Sequence, residues 1–311
     1  MLSRRNVRLK VLDLLFAKGL DESLTYNEAL NRYNNGLRKS YELYLYSLQQ
    51  LVATARQARR DARQRKAKLR PTEADATFDA RLYDNELVRS ITTNEELQKL
   101  VKRHQIDVLI DEDIARKVYQ EYVESKEHQA YQDTEQPTQE DHIKALLRLY
   151  RASLDNEVYQ DYLDDRYYNW EQDKSLIIGA IKKTIKSLPL TAREVLEYEP
   201  GEEATRDLGE ELLGYAFKQD EDLIELIKPN LKNWDINRIA TIDLCLIKMA
   251  LCELMYFPSI PTKVTINEYV DISKSYSTPK SKEFINGILD SLNKQLQEEG
   301  RVVKSGRGLV E

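Results

Sequence analysis

The chain has 311 residues, 32% of them charged, with only 10 glycines and 8 prolines. Such a length allows one large or two modest domains, and the scarcity of helix breakers predicts an almost entirely helical, all-α protein. The formal net charge of −6 argues against a uniformly basic nucleic-acid binder, although a patchy distribution can still leave local basic sites.

Ser3 predicts the N-cap of a first helix running to about Lys18. Val7, Val11, Leu14 and Leu15 form its buried face, and Gly19 is expected to stop it. Leu37, Tyr41, Tyr44, Leu48, Leu51 and Ala55 then alternate spacings of four and three. This heptad-like seam is too short for a sustained coiled coil and predicts one long packed helix. Its polar continuation, Arg56 to Arg70, is expected to stay helical until Pro71, with Pro71 to Asp79 as a connection.

Further helices are expected around Leu82 to Ile91, Asn94 to Arg103, Asp111 to Glu124, Thr138 to Ala152, Glu157 to Tyr168 and Lys174 to Ser187. Gln129 to Pro137 reads as a polar loop, and Leu188 to Pro200 as a break. Helices then follow at Thr205 to Phe217, Glu221 to Lys228 and Asp235 to Tyr256.

The last of these is apolar nearly all round, through Ile236, Ile239, Ile242, Leu246, Ala250 and Leu254. A helix of that kind is surrounded by others, so it is the expected centre of a C-terminal bundle. Asp235 is its expected cap, and Pro258 and Pro261 its end. Cys245 and Cys252 lie two turns apart on it, about 10 Å along the axis, too far for a disulfide. Core cysteines in a reducing cytoplasm are the expectation. Met1 is followed by arginines without the apolar run of a signal peptide. No stretch reaches the roughly 18 apolar residues of a membrane span.

Beyond Pro261, Val264, Ile266, Val270 and Ile272 fall near one apolar face that also contains Asn267 and Glu268. Thr278 and Pro279 predict a helix start, with proline at the first helical position. Ile285, Ile288, Leu289, Leu292 and Leu296 continue at helical spacing. Gly287 falls mid-helix, at a cost of about 1 kcal/mol relative to alanine, which implies a close approach there.

The sequence carries no GxGxxG, P-loop, GxSxG or HExxH pattern, so no enzyme, metal or cofactor is expected. His104, His128 and His142 are scattered and expected to be exposed. Arg4, Arg5 and Arg8 sit on the first turns of a helix, where cations oppose the macrodipole. They point either to a phosphate partner or to an acid-paired terminus.

The second basic run contains Arg56, Arg59, Arg60, Arg63 and Arg65. It suits a helix C-terminus and reads either as a solvated face or as an auxiliary RNA contact. Tyr276, Lys280, Lys282 and Phe284 mix aromatic rings with cations, as single-stranded RNA sites do, though Phe284 also fits a core position.

The segments RRNVRLKVLDLLFA, NWDINRIATIDLCLIKMALCELMYFPSIPTKVTINEYVDISKSY and KEFINGILDSL resemble the NusB family of transcription antitermination factors. Lys248 stands where arginine is common in that family, and Ser277 where glycine is. The resemblance implies helical bundles and no enzymatic activity. It also implies boxA-type RNA of ribosomal RNA operons as ligand, a small-subunit ribosomal protein acting as NusE as partner, and a place in the RNA polymerase antitermination complex.

Carried over by position, it puts RNA contacts on Arg4, Arg5, Arg8, Tyr276, Lys280 and Phe284, and the protein partner on Asp243. Residues 1–19 would be the first helix of the core, 20–204 a largely helical insertion, 205–298 the C-terminal core and 299–311 a flexible tail. Two alternatives are a helical scaffold in ribosome assembly and an RNA-modifying methyltransferase. The second would need an α/β cofactor domain that this helical sequence does not suggest.

Overall fold

The computed structural model describes residues 3–191, 199–231 and 235–305, with the backbone alone at Asn237. Among these residues every regular element is helical. No described helix is long and apolar enough to cross a membrane. The chain divides into two compact units, one of Arg38–Glu199 and one of Leu2–Leu37 with Pro200–Glu311.

The second unit begins with α1, Arg4–Leu20. Ser3 caps it through a reciprocal pair with Asn6, which satisfies an otherwise orphaned N–H. Val7, Val11, Leu14 and Leu15 are buried as the spacing requires. Gly19 does not stop the helix. A Cβ there would stand 2.7 Å from the Thr241 methyl, so the residue is needed for close packing. Helix α2, Tyr26–Lys66, starts in this unit and continues into the other.

In the Arg38–Glu199 unit, the seam Tyr41, Tyr44, Leu48, Leu51 and Ala55 is buried along α2. Around it lie α3 Glu73–Thr77, α4 Glu86–Thr92, α5 Glu95–Arg103, α6 Glu112–Val123 and α7 Lys126–Gln132. Helices α8 Gln139–Asp155, α9 Glu157–Arg166 and α10 Trp170–Lys186 complete the unit. Side-chain caps recur: Thr72, Asn85, Asn94, Asp111, Ser125, Thr138 and Asn156 each accept from a first-turn N–H.

The core is rich in tyrosine. Tyr46 packs against Tyr162 with ring centroids 5.0 Å apart and the planes nearly parallel. Four expectations fail here. Helix α2 ends at Lys66 rather than at Pro71, and the Pro71 to Asp79 connection contains α3. The segment read as a loop from Gln129 begins inside α7, because His128 and Tyr131 are buried and hold the turn to the core. The histidines are not exposed. His128 lies among Phe78, Tyr119 and Tyr122, while His104 and His142 are half-buried. Burial pushes the His128 imidazole down to about 4.

The second unit resumes with a short α11, Glu202–Ala204, a π-helical turn at Thr205–Glu210, α12 Glu211–Lys218 and α13 Asp220–Ile227. Helices α14 Thr241–Tyr256, α15 Thr262–Tyr276 and α16 Ser281–Glu298 complete it. Helix α14 is central, as expected, and packs against α1, α12, α13, α15 and α16. It starts at Thr241 rather than Asp235, since Ile236–Arg238 forms a separate 3-10 turn. Asn233 and Trp234 of the segment that resembles the NusB family lie outside the described residues.

Both cysteines are free and buried, and burial raises the Cys245 thiol to about 11 and the Cys252 thiol to about 12. Gly287 is exposed, and nothing stands within 4 Å of where its Cβ would be, so no close approach explains it. Val264 is 44% exposed and leaves the apolar face, which runs instead through Ile266, Tyr269, Val270 and Ile272. Residues 299–305 are docked. Ser305 N–H donates to the Pro258 carbonyl, and the Lys304 ammonium to the carbonyls of Glu253 and Phe257.

Candidate nucleic-acid interface

Helices α1, α14 and α15 meet at the start of α1, and all three arginines there are met by acids. Arg8 is 2% exposed. Its Nε and Nη2 donate to Glu253 Oε2 and Oε1 at 2.7 and 2.8 Å. Thr265 and Tyr269 hydroxyls donate to the same carboxylate at 2.8 and 3.1 Å. Burial opposes the charge on Arg8, but its hydrogen bond to Glu253 and the nearby Tyr269 and Glu268 outweigh that and raise its pKa. Arg8 is therefore fixed in the interior, and direct RNA contact by its guanidinium would require breaking this pair.

Arg4 and Arg5 differ from Arg8. Arg4 pairs with the exposed Glu203. Arg5 lies 3.8 Å from Glu268 and donates to the Asp271 carbonyl at 3.5 Å. Surface pairs of this kind are worth about 0–1 kcal/mol, so a phosphate can displace the carboxylates at little cost. Glu268, which interrupts the apolar pattern of α15, is accounted for by its two arginine neighbours.

The Asp271 carboxylate marks where the two predicted basic segments come together. Its pKa is lowered chiefly by the Lys274 hydrogen bond, then by the charges of Lys274, Arg5 and Lys282. Residues from both ends of the chain therefore act on one carboxylate. Asp271 precedes Tyr276 by five residues of helix, roughly 7–8 Å along the axis. Tyr276 is 38% exposed, Lys280 and Lys282 are exposed, and Phe284 is half-buried.

Asp243, the expected partner contact, is 5% exposed and turned inward. Ser277 donates to its Oδ1 and Ser281 to its Oδ2, at 2.5 and 2.6 Å. Thr278 does not cap α16 with its hydroxyl as expected, although its carbonyl accepts from the Ser281 N–H at 3.0 Å. Its hydroxyl meets Ser281 Oγ at 2.8 Å, and the helix starts at Ser281. Asp243 thus pins the loop that presents Tyr276 and Lys280.

The auxiliary run is broken up by acids within its own unit. Arg56 pairs with Glu112, Arg59 with Asp84, and Arg65 with Asp61. Arg59 also covers the Tyr83 ring, and Arg65 the Phe78 ring. Arg60 and Arg63 are exposed without an ion pair among the described residues.

The roles of Glu253, Thr265, Tyr269, Ser277 and Ser281 were not read from the sequence, where Ser277 stood out only as a position at which glycine is common in the resembled family. Glu253 had a signal: it is the one carboxylate in the apolar run MALCELM, and a buried acid requires a cation. The serines carried none, because their role depends on a loop that returns to α14.

Residues 167–294 match the NusB family. The chain is 40% identical over 125 residues to the transcription antitermination protein NusB of Salinibacter ruber, an alignment covering 40% of this chain and 76% of that protein. The chain belongs to the NusB family. The NusB protein of Geobacter sulfurreducens is 36% identical over 115 residues, covering 37% of this chain and 83% of that relative. That of Chloroherpeton thalassium is 40% identical over 100 residues, covering 32% and 47% respectively. No solved structure matches.

The family match includes Asp243 and the Tyr276 to Phe284 segment and begins just before α10. Helix α1 with its arginines lies outside the matched residues, as do α2 to α9. The NusB-family chain thus carries helices Glu73–Thr77 through Glu157–Arg166 ahead of the family match.

Proposed function

We propose that this NusB-family protein is an RNA-binding transcription antitermination factor. It binds boxA-type RNA of ribosomal RNA operons together with a small ribosomal protein acting as NusE, within the RNA polymerase antitermination complex. The carrying observation is that Arg5 from α1 reaches the Asp271 carbonyl and Lys274 its carboxylate, with the Lys282 charge also acting on it, on the helix that ends at the half-exposed Tyr276. Cations at the surface would neutralise phosphates, and Tyr276 would stack a base, while Arg8 and Asp243 hold the surface in shape. The RNA surface belongs to the unit of Leu2–Leu37 with Pro200–Glu311, and the helices of residues 38–166 are an addition to it.

Electrophoretic shift of boxA-type RNA, with and without the ribosomal protein, tests this reading. The expected result is a shift that strengthens with the partner and weakens with salt, because phosphate contacts release counterions. Binding of the ribosomal protein without RNA binding in either condition would favour a ribosome-assembly scaffold instead.

A further inference from the structure

Helices α2 and α6 enclose a groove of about 190 Å³ within the Arg38–Glu199 unit. Arg60 and Gln64 stand on the α2 wall, and Arg116 and Gln120 on the α6 wall. Their spacings, four residues on each helix, place each pair on one face. The acid lining the groove is Asp61. Its Oδ1 accepts from Arg65 Nε at 2.8 Å and its Oδ2 from the Tyr119 hydroxyl at 3.0 Å.

That pairing cancels the only negative charge lining the groove, so Arg60 and Arg116 leave it net positive. Arg60 has no ion pair among the described residues. Arg116 has only Asp113, one turn away and 73% exposed, which is a pair of small worth. The sequence pattern presented five arginines of α2 as one patch. Of those five, only Arg60 and the Asp61-paired Arg65 line this groove, and Arg116 joins them from another helix.

We propose that this groove is a second contact for single-stranded RNA, holding the phosphodiester backbone of nucleotides that flank the core element. Guanidinium groups fork onto phosphate oxygens. The Gln64 and Gln120 amides offer acceptors as well as donors, which suits base edges and 2′-hydroxyls. The inference rests on the RNA-binding reading of the family core, but places the contact in the unit that lies largely outside the family match.

Fluorescence anisotropy with the full chain tests it, using the boxA-type element alone and the same element extended by single-stranded flanks. Wild type is expected to bind the extended RNA at least about fivefold tighter. Arg60→Glu with Arg116→Glu should remove that gain, leave the core affinity unchanged, and lower the salt slope on the extended RNA by about 1.4, or two phosphates at about 0.7 each.

Both substitutions are on the surface, and circular dichroism of the variant should match wild type. Equal affinity of wild type for the two RNAs, or a flank gain that survives the double substitution, overturns the groove proposal alone. Failure of wild type to bind the core element overturns the RNA-binding reading itself. A variant that keeps the flank gain but loses binding to polyglutamate would reassign the groove to an acidic protein segment.

Discussion

Arg8 and Glu253, 245 residues apart in sequence, are joined inside the unit of Leu2–Leu37 with Pro200–Glu311 by two parallel hydrogen bonds of 2.7 and 2.8 Å. The pair ties α1 to the central helix, and Thr265 and Tyr269 tie α15 to the same carboxylate. Removing one partner leaves a buried charge unmatched. Arg8→Met should therefore cost about 3–5 kcal/mol in urea unfolding. Arg8→Met combined with Glu253→Leu should recover much of that loss, because no isolated charge then remains in the interior. A double variant no more stable than Arg8→Met alone would contradict this description of the pair.

Asp243 makes a different prediction. Its carboxylate accepts from Ser277 and Ser281, and Asp243→Ala would leave both hydroxyls without their acceptor. A loss of about 2–3 kcal/mol is expected from hydrogen bonds to a charged group. Amide hydrogen exchange should speed up at residues 277–284 before it does elsewhere. Unchanged exchange in that loop would show that Asp243 does not hold it.

The glycines give opposite signs. Gly287 sits exposed in α16 with open space around it, so Gly287→Ala should stabilise by up to about 1 kcal/mol. At Gly209 a Cβ would fall 1.7 Å from the Tyr33 hydroxyl and 2.6 Å from Val7 Cγ1. Gly209→Ala should destabilise by about 1–3 kcal/mol or more. Thermal melts of the two variants beside wild type check both.

These contrasts show what the sequence could convey. Helix α1 was legible because a cap at Ser3 and four apolar residues at helical spacing are local facts. The surroundings of Gly287 and Val264 were not, because a spacing pattern does not say what faces it. Glu253 stood out as a lone carboxylate in an apolar run, but its partner was hidden for the same reason: its cation is on α1, at the other end of the chain. The arginines at Arg4, Arg5 and Arg8 looked equivalent, yet burial separates Arg8 from the other two. In the Arg38–Glu199 unit, α7 was missed because the residues that bury it, His128 and Tyr131, are polar or amphipathic and break the apolar count.

His128 sets a pH dependence. Its imidazole is neutral in the fold, pushed by burial down to about 4 from an ordinary 6.5. As pH falls from 6.5 towards 4, the unfolded chain binds a proton that the folded chain does not. Stability present above 6.5 is therefore lost through that window, by up to about 3 kcal/mol. His128→Phe should flatten the decline in the urea midpoint between pH 7.5 and 5. An equally steep decline in that variant would assign it to other groups.

The central claim is that the surface where Arg5 and Lys282 act on Asp271 holds RNA. Anisotropy titration of boxA-type RNA with wild type and with the combined Arg4→Ala, Arg5→Ala and Lys282→Ala variant tests it most directly. The prediction is at least about a tenfold loss of affinity and a shallower salt dependence, with an unchanged urea midpoint. Equal affinity of the two proteins for the RNA would contradict it.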